Sequence, residues 1–364
     1  MGTPDANYEG YQALVNIAEI CYRRGMTNLV LSPGSRSAPL AITFWRHGSF
    51  ACRVVPDERS AAYQALGMAS ATGKPVGLVC TSGTATLNYA PAIAEAYWQE
   101  IPLIAFTADR PPEWIGQGEN QTIHQQALYA PNSKAFFELP SSLHDLDNTW
   151  HAYHQVNAAM NAAQSVPAGP VQVNVPLREP LYPLKAIPRP EAEIQCYQKS
   201  TPQPSLTSNQ LAELTGAVEA CSSVLVVAGM QAPLESELQI LQKFIARTRA
   251  VLITDLLSNA HQLSEAVTTA DAIAKTAKNQ KQSPLQPELL ITFGGPLLSK
   301  ALKQFLREHQ PTAHWHISEA GEERDTFQAL TQVIPIEPYT FFQEVEEKLQ
   351  SKPAYDYYHL WHQL

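Results

Sequence analysis

The chain is poor in charge. Asp, Glu, Lys and Arg make up 16% of its 364 residues, which excludes charge-rich disordered and coiled-coil classes. It has no basic surplus: 25 Lys and Arg against 34 Asp and Glu leave a net charge of −9, which argues against a nucleic-acid surface while leaving room for a local cationic pocket. No apolar run reaches the ~20 residues that span a bilayer, so no stable membrane insertion is expected. The opening MGTPDANYEG lacks the basic and apolar regions of a secretory signal, and Ala6 stands where a myristoylation signal has Ser or Thr. A cytoplasmic location is the expectation. The five cysteines (Cys21, Cys52, Cys80, Cys196, Cys221) are scattered with no CxxC, the usage of a cytosolic chain and not of a disulfide framework. There is no GxSxG nucleophile elbow and no solenoid repeat. The run from Gly116 to Gln121 lacks the third glycine and the strand-to-helix setting of a dinucleotide fingerprint.

Hydrophobic residues at 45% supply ample core, and the length suits two or three domains. Asn7–Arg24 carries helical apolar spacing in Tyr11, Leu14, Val15 and Ala18, with Gly25 as C-cap. Strands are then expected at Asn28–Leu31, Phe50–Val55, Val76–Cys80 and Pro102–Phe106, with helices at Ala38–Arg46, Glu58–Ala71 and up to Trp98 between them. A helix over Asp145–Ser165 and a strand over Pro167–Val175 complete the half. Strand–helix alternation implies a parallel α/β sheet. Leu181–Ser208 is proline-rich and aperiodic, the signature of a linker. Alternation then resumes, with strands near Ser223–Ala228, Val251–Thr254, Leu289–Phe293 and His314–Ser318, and helices near Leu234–Arg247, Leu297–Glu308 and Phe341–Leu349. The expected organisation is a first domain at 1–181, a linker at 182–205, a smaller Rossmann-like α/β domain at 206–350, and at 351–364 the start of a further domain.

Each of the first four strands delivers a polar or Gly/Pro-rich motif at its carboxyl end, the edge where open α/β sheets bind ligands. The organising stretch is Val54–Gly67, VVPDERSAAYQALG. Glu58 opens a helix rich in small residues; on its own it is a carboxylate favoured by the helix dipole, and at a buried helix end it would be desolvated and suited to proton exchange. In SPGSRSAP (Ser32–Pro39) the turn opens onto a helix N-terminus and Arg36 offers a fork for a carboxylate. TSGTATLN (Thr81–Asn88) either bonds a polar heterocycle or caps its helix. In TADRPPE the prolines withhold backbone donors, which leaves Arg110 as the polar group. Asn120 and Gln121 either cap a following helix or, through Gln121, donate to a ligand oxygen. His314 and His316 share a strand face, with no third ligand spaced to complete a metal site, and His144, His151 and His154 suit a solvated helix face.

Taken together, SPGSRSAP, PDERSAAYQALGMA, VCTSGTATLNYAPAIAEA, FTADRPPE and NQTIHQ resemble the family of 2-succinyl-5-enolpyruvyl-6-hydroxy-3-cyclohexene-1-carboxylate synthases, thiamine-diphosphate enzymes of menaquinone biosynthesis. The resemblance is most specific within Ser32–Gln125. It implies a pyrimidine-binding domain followed by a central domain, both α/β. It implies decarboxylation of 2-oxoglutarate with conjugate addition of the succinyl group to isochorismate, on thiamine diphosphate held through Mg2+ or Mn2+. It places Glu58 on the carboxylate that bonds the pyrimidine ring, and Thr81, Ser82 and Asn88 on the loop beside that ring. Ser35, Arg36, Arg110, Asn120, Gln121 and Lys300 fall on substrate positions, which gives the arginines two acidic substrates to hold. Where the family often has Lys-Arg, this chain has Lys300-Ala301, and Lys303 lies one turn on. The family's third domain, with a GDG…N motif for metal and diphosphate, has no counterpart here, so the chain is expected to supply half a site of a homodimer or homotetramer. Two other readings stand beside this one: a non-catalytic binding or assembly protein, and a thiamine-diphosphate lyase for other 2-oxo acids.

Overall fold

The computed structural model describes residues 6–182, 188–200, 204–277, 283–350 and 355–364. The chain divides into two compact units, Met1–Thr201 and Pro202–Leu364.

Unit 1 runs α1 (Ala6–Arg23), β1 (Asn28–Leu31), α2 (Ala38–His47), β2 (Ala51–Val54), α3 (Glu58–Thr72), β3 (Val76–Cys80), α4 (Thr84–Leu87), α5 (Ala90–Trp98), β4 (Leu103–Asp109), β5 (Ala135–Glu138), α6 (Leu146–Gln164) and β6 (Val171–Pro176). The six strands form one parallel sheet in the order β2-β1-β3-β4-β6-β5. Side chains alternate across it. Leu29, Leu31, Ile104 and Phe106 pack with α1, α2 and α6 on one face, whereas Val30, Leu78, Leu103 and Ala105 pack with α3 and α5 on the other. The alanines of α3, Ala61, Ala62, Ala65 and Ala69, are all buried and let that helix lie close to the sheet. Strand β5 was not expected from the sequence. No helix follows Asn120 and Gln121, so the capping reading of that pair fails, and Gln121 itself has a left-handed backbone (φ 57°).

The stretch read as a linker is partly built into unit 1. Glu191 and Tyr197 each donate a backbone N–H, to Asn16 Oδ1 and Asn157 Oδ1 at 3.1 Å, and Ile194 is buried in the core. Residues 183–187 and 201–203 of that stretch lie outside the described residues.

Unit 2 runs α7 (Ser208–Ala220), β7 (Val224–Ala228), α8 (Glu235–Thr248), β8 (Val251–Thr254), β9 (Ala266–Val267), α9 (Ala270–Ala277), β10 (Leu289–Phe293), α10 (Lys300–Glu308), β11 (Ala313–Ile317), β12 (Gln332–Ile334), α11 (Pro338–Lys348) and α12 (Tyr355–Gln363). Its parallel sheet has the order β12-β11-β10-β7-β8-β9. Counted from β7 this is 3-2-1-4-5-6, the doubly wound nucleotide-fold order. Helix α12 places Tyr357 and Trp361 in this unit's core beside Phe305 and Leu306. Among the described residues no helix is long and apolar enough to cross a membrane.

Candidate active site

In unit 1 the chain reverses direction across the sheet between β1 and β3. The loops after those strands therefore open a crevice at their carboxyl ends. The two loops touch. A Cβ on Gly34 would stand 2.4 Å from Thr81 Cβ, so only glycine lets the backbones approach this closely. Ser32 continues the ladder through its N–H to Val79 O (2.8 Å) and ties in β2 through Oγ to Val55 O (3.0 Å). Ser37 Oγ bonds back to Gly34 O, not to the first turn of α2. Gly83, at φ 79°, leaves room for Gln121, whose carbonyl accepts from Ser82 Oγ at 3.0 Å.

These loops and the segment after β4 enclose a cavity of about 650 Å³. Ser35, Arg36, Thr81, Ser82, Arg110 and Gln121 line it, so six of the ten residues singled out in the sequence meet around one space. Arg36 donates from Nη1 to Leu177 O at 2.9 Å, and its Nε is buried without a partner. Burial, helped by the charge of nearby Arg110, lowers the Arg36 pKa. Arg110 turns its fork onto one carbonyl, with Nε and Nη2 donating to Asn120 O at 3.0 and 2.6 Å. Arg110 thus clamps the chain that carries Gln121.

Beneath the cavity lies a buried polar layer that sequence reasoning missed. Asn174 accepts from Thr107 Oγ1 and Gln125 Nε2, both at 2.9 Å, and donates to Asp109 Oδ2 at 2.9 Å. Gln125 Oε1 accepts from the Gly83 N–H at 2.8 Å, and Asp109 Oδ1 from the Arg110 N–H at 2.8 Å. Gln172 donates to Gln125 O at 2.8 Å. The layer thus fixes both the Gly83 turn and the start of the Arg110 segment from below. Burial pushes the Asp109 carboxyl up, while the Asn174 and Arg110 donors pull it down. The available signal was the pair of polar residues in the strand QVNV.

The other four sequence candidates stand apart from the cavity lining. Glu58 begins α3, behind its N-cap Asp57, whose Oδ1 accepts from Ser60 N at 2.7 Å. It is half-buried, so the condition for desolvation, a buried helix end, is met in part. Its carboxylate has no hydrogen bond or ion pair among the described residues, and it lies close enough to Cys80 that its charge adds to burial in raising that thiol's pKa. Asn88 is exposed and donates to Thr84 O at 3.1 Å. Asn120 takes part through its backbone carbonyl. Lys300 is in unit 2, exposed at the start of α10. Lys303 does not stand free in place of an arginine at position 301, because its Nζ donates to Leu297 O at 3.0 Å.

Residues 14–128 match the thiamine pyrophosphate enzyme N-terminal TPP binding domain, and residues 203–362 match the middle domain of thiamine pyrophosphate enzymes. The chain belongs to the thiamine pyrophosphate enzymes. It is 43% identical over 327 residues to the 2-succinyl-5-enolpyruvyl-6-hydroxy-3-cyclohexene-1-carboxylate synthase of Cytophaga hutchinsonii, covering 90% of this chain and 57% of that protein. It is 39% identical over 349 residues to the synthase of the same name from Porphyromonas gingivalis, covering 96% and 59%. A putative thiamin diphosphate-dependent enzyme from Mycobacterium smegmatis shares the fold at a TM-score of 0.69 and 16% identity, over 94% of this chain and 63% of that one. The chain thus spans 57% and 59% of the length of these two curated relatives.

Domains of this family bind thiamine pyrophosphate, and one residue at this edge of the sheet fits that group. The unpartnered Glu58 carboxylate at a strand's carboxyl end suits a ring nitrogen that carries a proton. Among the described residues no group of three His, Cys, Asp or Glu could hold a metal ion.

Proposed function

We propose that the protein containing this chain is a 2-succinyl-5-enolpyruvyl-6-hydroxy-3-cyclohexene-1-carboxylate synthase of menaquinone biosynthesis, acting on 2-oxoglutarate and isochorismate. The observation that carries this reading is the pairing of Arg36 and Arg110 on one cavity at the switch point, in a chain so similar to synthases of that name. Two guanidinium groups with hydroxyls between them suit a substrate with carboxylates. Bound thiamine diphosphate supplies the carbon nucleophile for decarboxylating a 2-oxo acid.

The chain's own residues bind, orient and hold a proton. Glu58 accepts a hydrogen bond from the pyrimidine ring and sets its protonation state. Thr81, Ser82 and Asn88 flank the ring. Arg36, Arg110, Ser35 and Gln121 hold substrate carboxylates and hydroxyls, with Asn120 as the carbonyl on which Arg110 is braced. Lys300 is a further proposed substrate-binding cation. In this reading residues 1–181 form the pyrimidine-binding domain and residues 206–350 the central domain. The ligands for Mg2+ or Mn2+ and for the diphosphate lie outside the described residues, and the complete site forms in a cytoplasmic homodimer or homotetramer.

The test is Glu58→Gln in the full-length protein. The swap keeps shape and removes the charge that holds the ring proton, so 2-oxoglutarate decarboxylation should fall by at least ~10²-fold. Activity within a factor of two of the parent would remove Glu58 from this role.

A further inference from the structure

Three arginines line the cavity, and each already faces a glutamate. Arg36 Nη2 stands 3.5 Å from Glu179 Oε1, Arg110 Nε 3.7 Å from Glu119 Oε2, and Arg178 Nη2 2.5 Å from Glu113 Oε1. The first two pairs are lopsided. The Arg36 and Arg110 side chains are 11% and 15% exposed, whereas Glu179 and Glu119 are 73% and 41% exposed. The cations are built into the wall, braced on the carbonyls of Leu177 and Asn120. Their carboxylate partners hang on the solvent side at distances too long for a strong charge-assisted hydrogen bond, which closes to ~2.7–2.9 Å. Glu119 and Glu179 also belong to the cavity lining.

We propose that Glu119 and Glu179 are competing carboxylates: they screen Arg110 and Arg36 and are displaced by the carboxylates of an anionic substrate, so that together they set the affinity of the cavity. The physical need for them is plain. Two guanidinium groups close enough to repel stand in a partly buried wall, and leaving both uncompensated is unfavourable. Exposed, loosely paired glutamates supply that compensation and are easily moved aside, because an exposed ion pair contributes little net free energy. A ligand that brings one carboxylate to each arginine replaces both glutamates at once. The inference rests on the reading of this cavity as a dicarboxylate site.

The test is isothermal titration calorimetry of succinate, an unreactive dicarboxylate, into the full chain and into Glu119→Gln, Glu179→Gln and the double variant. Each single change should tighten binding two- to threefold, and the double variant at least fivefold. Glu95→Gln, on the exposed face of α5 away from the cavity lining, controls for net charge and should leave the dissociation constant unchanged. Equal affinity in parent and double variant overturns the proposal alone. Weaker binding in the double variant also overturns it, since it would make the glutamates supports for the arginines. A gain in the Glu95 variant as large as in the single cavity variants does the same. Succinate binding by none of the proteins overturns the dicarboxylate reading and the proposal with it.

Discussion

Replacing Asn174 with alanine should be among the most damaging single changes in unit 1, although Asn174 does not line the cavity. Its amide makes three hydrogen bonds at 2.9 Å, to Thr107, Gln125 and Asp109. Gln125 keeps a second acceptor in Ala108 O at 3.1 Å. The Thr107 hydroxyl proton loses its acceptor, and Asp109 is left with the Arg110 N–H alone. A buried neutral group left unmatched costs ~1–3 kcal/mol and a charged one more, so the loss should total ~3–5 kcal/mol. The pH dependence separates this account from a simple packing defect. Burial already holds the Asp109 pKa above its ordinary value, and removing a donor raises it further. For a carboxyl with a raised folded pKa, the folded state takes up the extra proton. Its favourable contribution is therefore full below the unfolded pKa and is lost as pH rises through the folded one. The deficit of the variant should then be largest at pH 7 and shrink on acidification, once protonated Asp109 no longer needs the donor. Urea unfolding followed by tryptophan fluorescence at pH 7 and pH 4.5 measures both numbers. A deficit below 1 kcal/mol at pH 7, or one of equal size at both pH values, would refute the reasoning.

Two further outcomes follow from local geometry. Gly34→Ala should destabilise unit 1 by ~1–3 kcal/mol through overpacking, because its Cβ would meet Thr81 Cβ. Thr81→Ser, which keeps that Cβ, should give no relief, whereas a double-mutant cycle with Thr81→Gly should show favourable coupling. In unit 2, His314 Nε2 and His316 Nδ1 each lie 2.9 Å from the Thr292 hydroxyl, and burial first, then the neighbouring charges of His316 and Arg324, lowers each pKa to about 4. These imidazoles are held neutral, so unit 2 should keep full stability above pH 6.5 and lose ~1.4 kcal/mol per pH unit per histidine as pH falls towards 4. His316→Gln should flatten that slope in pH-dependent thermal unfolding, and an unchanged slope would refute it.

Much of the fold is legible along the chain because the strongest signals are local. Val76–Cys80, Val251–Thr254 and Leu289–Phe293 are short apolar runs bounded by turns, and each is a strand in the position expected. The strands missed, Ala135–Glu138, Ala266–Val267 and Gln332–Ile334, are short edge strands, and β5 is only partly buried. Nothing local distinguishes such segments from loop, since a neighbour's backbone decides whether they pair. Helix α7 also escaped, although its Thr207–Gln210 capping box is a local signal.

The residue types and their order determined by themselves that Ser35, Arg36, Thr81, Ser82 and Arg110 sit just past strand ends and Gln121 at the end of the long connection after the fourth strand, because a polar Gly/Pro-rich motif after an apolar run must leave the sheet. That these six share one cavity was decided by the strand order, which brings the β1 and β3 loops together and closes the Arg110 segment over them. The tertiary structure alone also decided the fate of the polar residues in VQVNV. Alternation of this kind reads as a strand with one wet face, yet β6 lies between β4 and β5 and is buried along its whole length. Gln172 and Asn174 point into a dry layer that only other segments can complete, and the physical reason is that hydrogen-bond satisfaction inside a protein belongs to the assembled neighbours and not to the strand.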